Sequence, residues 1–236
     1  MVPLLYIILL IIPSLQIDQS KTIIIFFSRA GENYNVGTVD IGNTEMIVNY
    51  LEEEVTEIEN IYKINPETPY PESYQETVNI ARNEKNNNAR PGIKDPLTDI
   101  SKYDTILLGY PIWHGNIPNI VMTQLELLDF KGKTIYPFNT HGGSGVGSSI
   151  NDIKNSAPEA DVKDGFPLSG SYARTNDSHE DIKNWLKNQL GIEASNKEGE
   201  SQKIEEEEEE ENISNYQNST ILKISLFSFF FIFIFL

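Results

Sequence analysis

Three short stretches of this chain hold the residue types from which a ligand site is built. The first, FSRAGENYNVGTVDIGNTE (27–45), ends at GNT, where a helical pattern begins. A helix N-terminus carries unpaired N–H groups and the positive end of the helix dipole, so it can hold a phosphate without lysines. Ser28 and Thr44 add hydroxyls, Arg29 adds charge, and Gly42 with Asn43 lets the backbone come close. The second stretch, GYPIWHGNIPNI (109–120), sets Trp113 between Pro111 and Pro118, with Ile112, His114 and Gly115 beside it. The prolines stiffen the loop and Gly115 permits unusual dihedrals. Flat ring systems stack on a tryptophan held this way, worth ~1–3 kcal/mol by analogy with base stacking. The third, NTHGGSGVGSS (139–149), offers backbone that can lie against a ligand. Together they suit a phosphate, a linker and a flat ring. Each has a plainer alternative: Ser28, Asn43 and Thr44 as caps, Trp113 as a loop anchor, the glycines as a flexible linker.

Such loops need a frame, and the sequence supplies one. TIIIFF (22–27), EIENIYKI (57–64), TILLGY (105–110) and KTIYPFN (133–139) read as strands, with a weaker fifth near 160–168. Helical patterns lie between them. Met46, Ile47, Tyr50 and Leu51 share one face of the first. Ser73 and Glu76 form a capping box for a helix to about Asn86, and Pro118 opens a helix bearing Val121, Leu125 and Leu128. A short helix follows near 148–155. Ser178 is expected to cap the last helix, with Ile182, Trp185, Leu186 and Leu190 inside and Gly191 at its end. Apolar strands alternating with amphipathic helices imply an α/β domain, a doubly wound five-stranded parallel sheet in three layers, over 21–192. In such sheets ligands bind at the carboxyl ends of the strands, where the three stretches fall.

The chain has 236 residues, with 35 acidic against 18 basic side chains and no cysteine. The acidity argues against nucleic-acid binding, and the lack of cysteine excludes disulfides and thiolate metal sites. The three histidines show no metal-ligand spacing. No GxxxxGK[ST] or GxGxxG occurs. Residues 1–20 begin with an apolar run of signal-peptide length that lacks a basic start; a buried first strand is the alternative. Residues 193–220 are acidic and low in complexity, with a glutamate run at 205–211 that reads as a self-repelling spacer or an interaction tail. Residues 221–236 form an apolar tail, expected to be a GPI-attachment signal, with a tail anchor as the rival. Asn176, Asn212 and Asn218 head N-x-S/T triplets. The ends therefore predict a protein of the secretory pathway, attached to the membrane and displayed at the cell surface.

The three loops in order resemble the flavodoxin-like family, in particular its branch with a long insertion in the phosphate loop. The resemblance spans about 21–191. It implies strand order 2-1-3-4-5 and one non-covalent flavin mononucleotide (FMN). By that likeness Ser28, Arg29, Asn43 and Thr44 would hold the phosphate. Pro111, Ile112, Trp113, His114 and Gly115 would border the isoalloxazine, and Thr140, His141, Gly142, Gly143, Ser144 and Gly145 would close the other side. Family members often carry a second aromatic after the tryptophan; here it is His114. His114 and His141 are candidates for proton delivery, or simple contact residues. The implied function is electron transfer with a redox partner protein, or a small NAD(P)H-dependent reductase of quinone or nitro type. The alternative is a surface-displayed binding module with weak or no flavin.

Overall fold

The computed structural model describes residues 17–55, 58 and 60–192. The apolar ends, the glutamate run, Asn212 and Asn218 lie outside the described residues. Five parallel strands make the main sheet: β1 (Thr22–Phe26), β4 (Ile61–Lys63), β7 (Thr105–Pro111), β8 (Thr134–His141) and β10 (Phe166–Ser169). Their order is β10-β8-β7-β1-β4. Counted along the chain, that is the expected 2-1-3-4-5.

Side-chain alternation along each strand divides the core between the two sheet faces. Ile23, Ile25 and Phe27 join Ile106, Leu108, Tyr110 and Ile135 on one face. There they meet Ile120, Val121 and Leu125 of α3 (Asn119–Glu126) and Ile153 of α4 (Ser149–Ser156). Ile24, Phe26, Leu107, Tyr136 and Phe138 point the other way. They pack on Ile47, Val48 and Leu51 of α1 (Asn43–Glu54), and on Ile182 and Trp185 of α5 (Asn176–Trp185). The buried stripe of α1 is thus turned slightly from the expected one, with Val48 inside and Met46 and Tyr50 at its margin. A Cβ on Gly109 would overlap the Phe138 ring, so β7 leaves this face bare where that ring crosses it.

Several elements differ from the sequence expectation. The second strand is only Ile61–Lys63; Asn65–Pro66 (β5) leaves the sheet to pair with Ile93–Lys94 (β6). Pro66 has no N–H to offer a ladder. The fourth strand runs two residues further, to His141. The fifth is split: Asp161–Val162 (β9) pairs with Thr134 and Ile135, then β10 resumes at Phe138. Ser178 is not the cap of α5. Thr175 stands at that position, and the buried Ser178 hydroxyl donates to the Thr175 carbonyl at 2.8 Å. A turn of π-helix, Leu186–Leu190, continues α5 and ends at Gly191, whose φ of 67° suits glycine. The chain joins this core already at Ile17, whose N–H bonds the Leu190 carbonyl at 3.0 Å. The first loop folds into a hairpin of β2 (Gly31–Asn33) and β3 (Gly37–Val39).

Candidate functional site

The parallel register sets Phe26, Gly109 and Phe138 side by side, so the three loops leave the same edge of the sheet. At the start of the first loop, the Ser28 hydroxyl accepts the Glu45 N–H at 3.1 Å. The residue at the N-cap of α1 is Gly42, which has no side chain to do this. Ser28 therefore caps the helix from the neighbouring strand end. A Cβ on Gly42 would overlap Ser28 Oγ and stand 2.5 Å from the Arg29 carbonyl oxygen. The bare glycine is what lets the strand end and the helix start touch. Thr44 is buried, and its hydroxyl lies 2.9 Å from that of Thr140, tying the first loop to the third.

Arg29 lines the site but is occupied otherwise than the phosphate expectation supposed. Its guanidinium donates to the carbonyls of Pro71 (2.8 Å), Glu72 (3.1 Å) and Glu32. The Glu32 N–H bonds the Glu72 carbonyl at 2.8 Å, and the Glu32 carboxylate accepts the Tyr74 N–H at 2.9 Å. These bonds clamp the hairpin to the start of α2 (Tyr74–Asn86). A different cation serves the helix end: Arg174 donates to Asn43 Oδ1 at 3.1 Å and to the Ile41 carbonyl at 2.9 Å. Nothing in the sequence linked Arg174 to GNT, which lies on the far side of the domain in sequence.

The second loop is a tight turn. Trp113 and Asn116 exchange two N–H···O bonds of 3.0 Å, and His114 and Gly115 have φ of 49° and 81°. Two central residues at positive φ are the mark of a type I′ turn. A histidine there is costly and is held from outside. Lys85 Nζ donates to the His114 carbonyl at 2.7 Å, and His114 Nε2 lies 2.9 Å from the Val78 carbonyl. Trp113 is half-buried, edge-on to Phe27 (5.4 Å) and Tyr70 (4.9 Å). It both anchors the loop and borders the site. The Tyr70 hydroxyl donates to the Glu84 carboxylate at 3.1 Å, and burial raises the pKa of both groups.

In the third loop, the buried Asn139 amide holds the Gly145 carbonyl at 3.1 Å. The Gly143 N–H donates to His141 Nδ1 at 2.9 Å, so the neutral imidazole carries its proton on Nε2. Burial lowers the His141 pKa, favouring that neutral form.

These loops surround one cavity of about 320 Å³. Ser28, Arg29, Asn43, Thr44, Pro111, Ile112, Trp113, His114, Gly115, Thr140, His141, Gly142 and Ser144 all line it. Gly143 and Gly145, at φ of 122° and 61°, shape the third loop without being among the lining residues. The sequence reading missed Asn33 and Tyr34 of the hairpin, Gly170, and one face of α2: Tyr74, Thr77, Val78 and Ala81. That helix was read from its capping box, and none of its residues was assigned to the site. Among the described residues no cluster of three or more His, Asp or Glu is placed to hold a metal.

The family model for flavodoxin matches residues 38–189. The chain belongs to the flavodoxin family. This flavodoxin-family chain is also similar to solved structures. One is a protein assigned as a flavoprotein from Bacteroides eggerthii: 28% identity, covering 70% of this chain and 95% of that one, TM-score 0.52. A second, from Bacteroides uniformis and assigned likewise, has 26% identity, covering 71% and 97%, TM-score 0.55. A flavoprotein in complex with FMN from Lactobacillus acidophilus has 21% identity, covering 68% and 96%, TM-score 0.47. Comparison with curated proteins gives no match.

Proposed function

We propose that this protein binds one FMN non-covalently and works in redox chemistry. It acts as an electron carrier for a partner protein or as a small NAD(P)H-dependent reductase of quinone or nitro type. The observation that carries the reading is the convergence of a helix N-terminus, a braced tryptophan and a glycine-rich loop on one cavity. Family membership supports it.

The residues present fit FMN. The Gly42 cradle, which a Cβ would fill, brings the Ser28 and Thr44 hydroxyls to the first turn of α1, where N–H groups and the helix dipole favour a phosphate. Asn43 is oriented there by Arg174. Trp113 and Gly115 line the cavity together, which places an aromatic ring and loop backbone where the flavin ring would lie. Bound FMN supplies the centre that accepts and releases electrons; the protein tunes it by stacking, hydrogen bonds and charge. Neutral His141, with its proton on Nε2, is a hydrogen-bond donor on the cavity wall. The rigid Trp113–Asn116 turn holds its groups in place before any ligand arrives.

We extend the proposal to place: a membrane-attached protein of the cell surface, held by its C-terminal tail. The apolar ends and the polar spacer before the tail support it. The test is a titration of the full chain in detergent with FMN and with riboflavin, followed by addition of NADH or NADPH. FMN binding more tightly than riboflavin is expected from a phosphate held at α1. Equal weak binding of both would overturn the reading. Consumption of the nicotinamide without a partner protein marks a reductase; its persistence marks a carrier.

A further inference from the structure

We propose that Arg174 is a positioning residue for the phosphate end: it turns the Asn43 amide so that the NH2, a donor, meets the ligand, and so makes the cavity select a phosphate monoester over an uncharged group. This rests on the FMN reading above and deepens it. Arg174 belongs to none of the three loops that mark the site in the sequence. It lies in a fourth, between β10 and α5.

Arginine carries only donors, so the amide atom that meets it must be the oxygen. Arg174 Nη1 stands 3.1 Å from Asn43 Oδ1, and it also donates to the Ile41 carbonyl at 2.9 Å. The other branch of the amide is therefore Nδ2. Nδ2 lies against Gly170, where an added Cβ would stand only 2.5 Å away. Gly170 is not at positive φ, so its missing side chain serves space rather than backbone shape. Gly170 and Asn43 both line the cavity. Asn43 is only 9% exposed, yet its Nδ2 makes no hydrogen bond among the described residues. A buried donor left unpaired carries a cost that a ligand acceptor would remove. The group that suits Nδ2, the first-turn N–H groups of α1 and the Ser28 and Thr44 hydroxyls together is an oxyanion.

The fourth loop is built to bring Arg174 to this point. Ala173 is fully buried, in one core cluster with Ile47 and Ile182. The Gly170 N–H donates to the His141 carbonyl at 2.9 Å, and the Tyr172 hydroxyl donates to the Asp181 carboxylate at 2.8 Å. Without Arg174 the Asn43 amide is free to turn over. Its oxygen would then share the place of the NH2 and repel phosphate oxygens. One guanidinium on the outer side thus sets the sign of the group on the inner side.

The experiment titrates the full chain in detergent with FMN and with riboflavin. It uses wild type, Arg174→Ala, Asn43→Ala, the double variant and Asn43→Asp, with melting temperatures as a check on folding. Arg174→Ala should weaken FMN about tenfold and leave riboflavin unchanged. In the Asn43→Ala background the same change should cost far less, because Arg174 acts through Asn43. Asn43→Asp keeps the oxygen that Arg174 holds and puts a second oxygen where Nδ2 stood. It should melt no lower than Asn43→Ala, keep riboflavin, and lose more FMN affinity than Asn43→Ala does. Equal costs of Arg174→Ala in both backgrounds would overturn the inference, since the arginine would then act without Asn43. FMN bound as tightly by Asn43→Asp as by wild type would overturn it too. If Arg174→Ala melts well below wild type, the Asn43→Asp and Asn43→Ala titrations decide, because both leave Arg174 in place. A wild-type chain that binds no FMN, or binds FMN and riboflavin alike, would instead refute the proposed function itself.

Discussion

Gly42→Ala tests how the phosphate end is built. The backbone of Gly42 is extended, with φ −67° and ψ 156°, a conformation alanine adopts freely. The cost is therefore one of space alone. The added methyl would overlap Ser28 Oγ and stand 2.5 Å from the Arg29 carbonyl oxygen and 2.8 Å from its carbon. Ser28 can rotate away, but that gives up the Glu45 N–H, a cap worth about 1 kcal/mol. The Arg29 backbone cannot rotate away; it must shift, at roughly the 1–3 kcal/mol of an overpacked core. Together the loss is roughly 2–4 kcal/mol of stability. Urea unfolding followed by circular dichroism measures it, and FMN titration follows the ligand. FMN should lose affinity more than riboflavin, because in the proposed site the displaced groups face the phosphate. Ser28→Ala alone should cost only the cap. In the Ser28→Ala background Gly42→Ala should remain harmful, because the Arg29 backbone is still in the way. A Gly42→Ala protein with the wild-type urea midpoint would refute the packing argument. An equal loss for both flavins would refute the placement of the phosphate.

Other perturbations reach the remaining parts. Trp113→Ala should weaken FMN by about 5- to 150-fold, the equivalent of ~1–3 kcal/mol of ring stacking, measured by equilibrium titration; undiminished binding would remove Trp113 from the site. Arg29→Ala removes the guanidinium from three carbonyls, of which those of Pro71 and Glu72 keep a second donor in the Thr77 hydroxyl and the Glu32 N–H, and should loosen the hairpin, seen as faster proteolysis within 31–39; an unchanged cleavage rate would mean the clamp is dispensable. His141 has a folded pKa below its ordinary value of about 6.5. The stability it lends is therefore present above about 6.5 and is lost as pH falls through the lower folded value. Thermal melts across that range should show a slope that His141→Gln reduces, and an identical slope in the variant would contradict this. Phosphatidylinositol-specific phospholipase should release the protein from membranes, whereas retention after treatment favours a tail anchor.

How far the sequence could be read depended on whether the signal was local. β1 and β7 are apolar runs flanked by loop residues, β8 is a strand-like run between loops, α1, α3 and α5 follow a helical repeat and α2 opens on a capping box, so their existence and order were legible. The three loops announced themselves by glycine, proline and tryptophan in places where a strand meets a helix. What escaped depended on distant partners. The hairpin at 31–39 rests on Arg29 and on the carbonyls of Pro71 and Glu72, about forty residues away. Arg29 carries the charge a phosphate would need, but no local rule foretold that carbonyls would claim it. Arg174 reaches Asn43 across 131 positions. Ser178 looked like a cap from its type alone, while Thr175 takes the position because the helix begins one turn earlier. Trp113 shows why opposed readings can both hold: its edge contacts anchor the loop and its remaining surface borders the cavity.

The central claim is that the three loops form one FMN site. The most direct test is to mix the purified full chain with FMN in detergent, pass it through gel filtration and record the visible spectrum of the protein peak. The account predicts that flavin absorbance travels with the protein, its fluorescence quenched, and that both are lost in Trp113→Ala. A colourless protein peak, with all FMN in the small-molecule fraction, would contradict it.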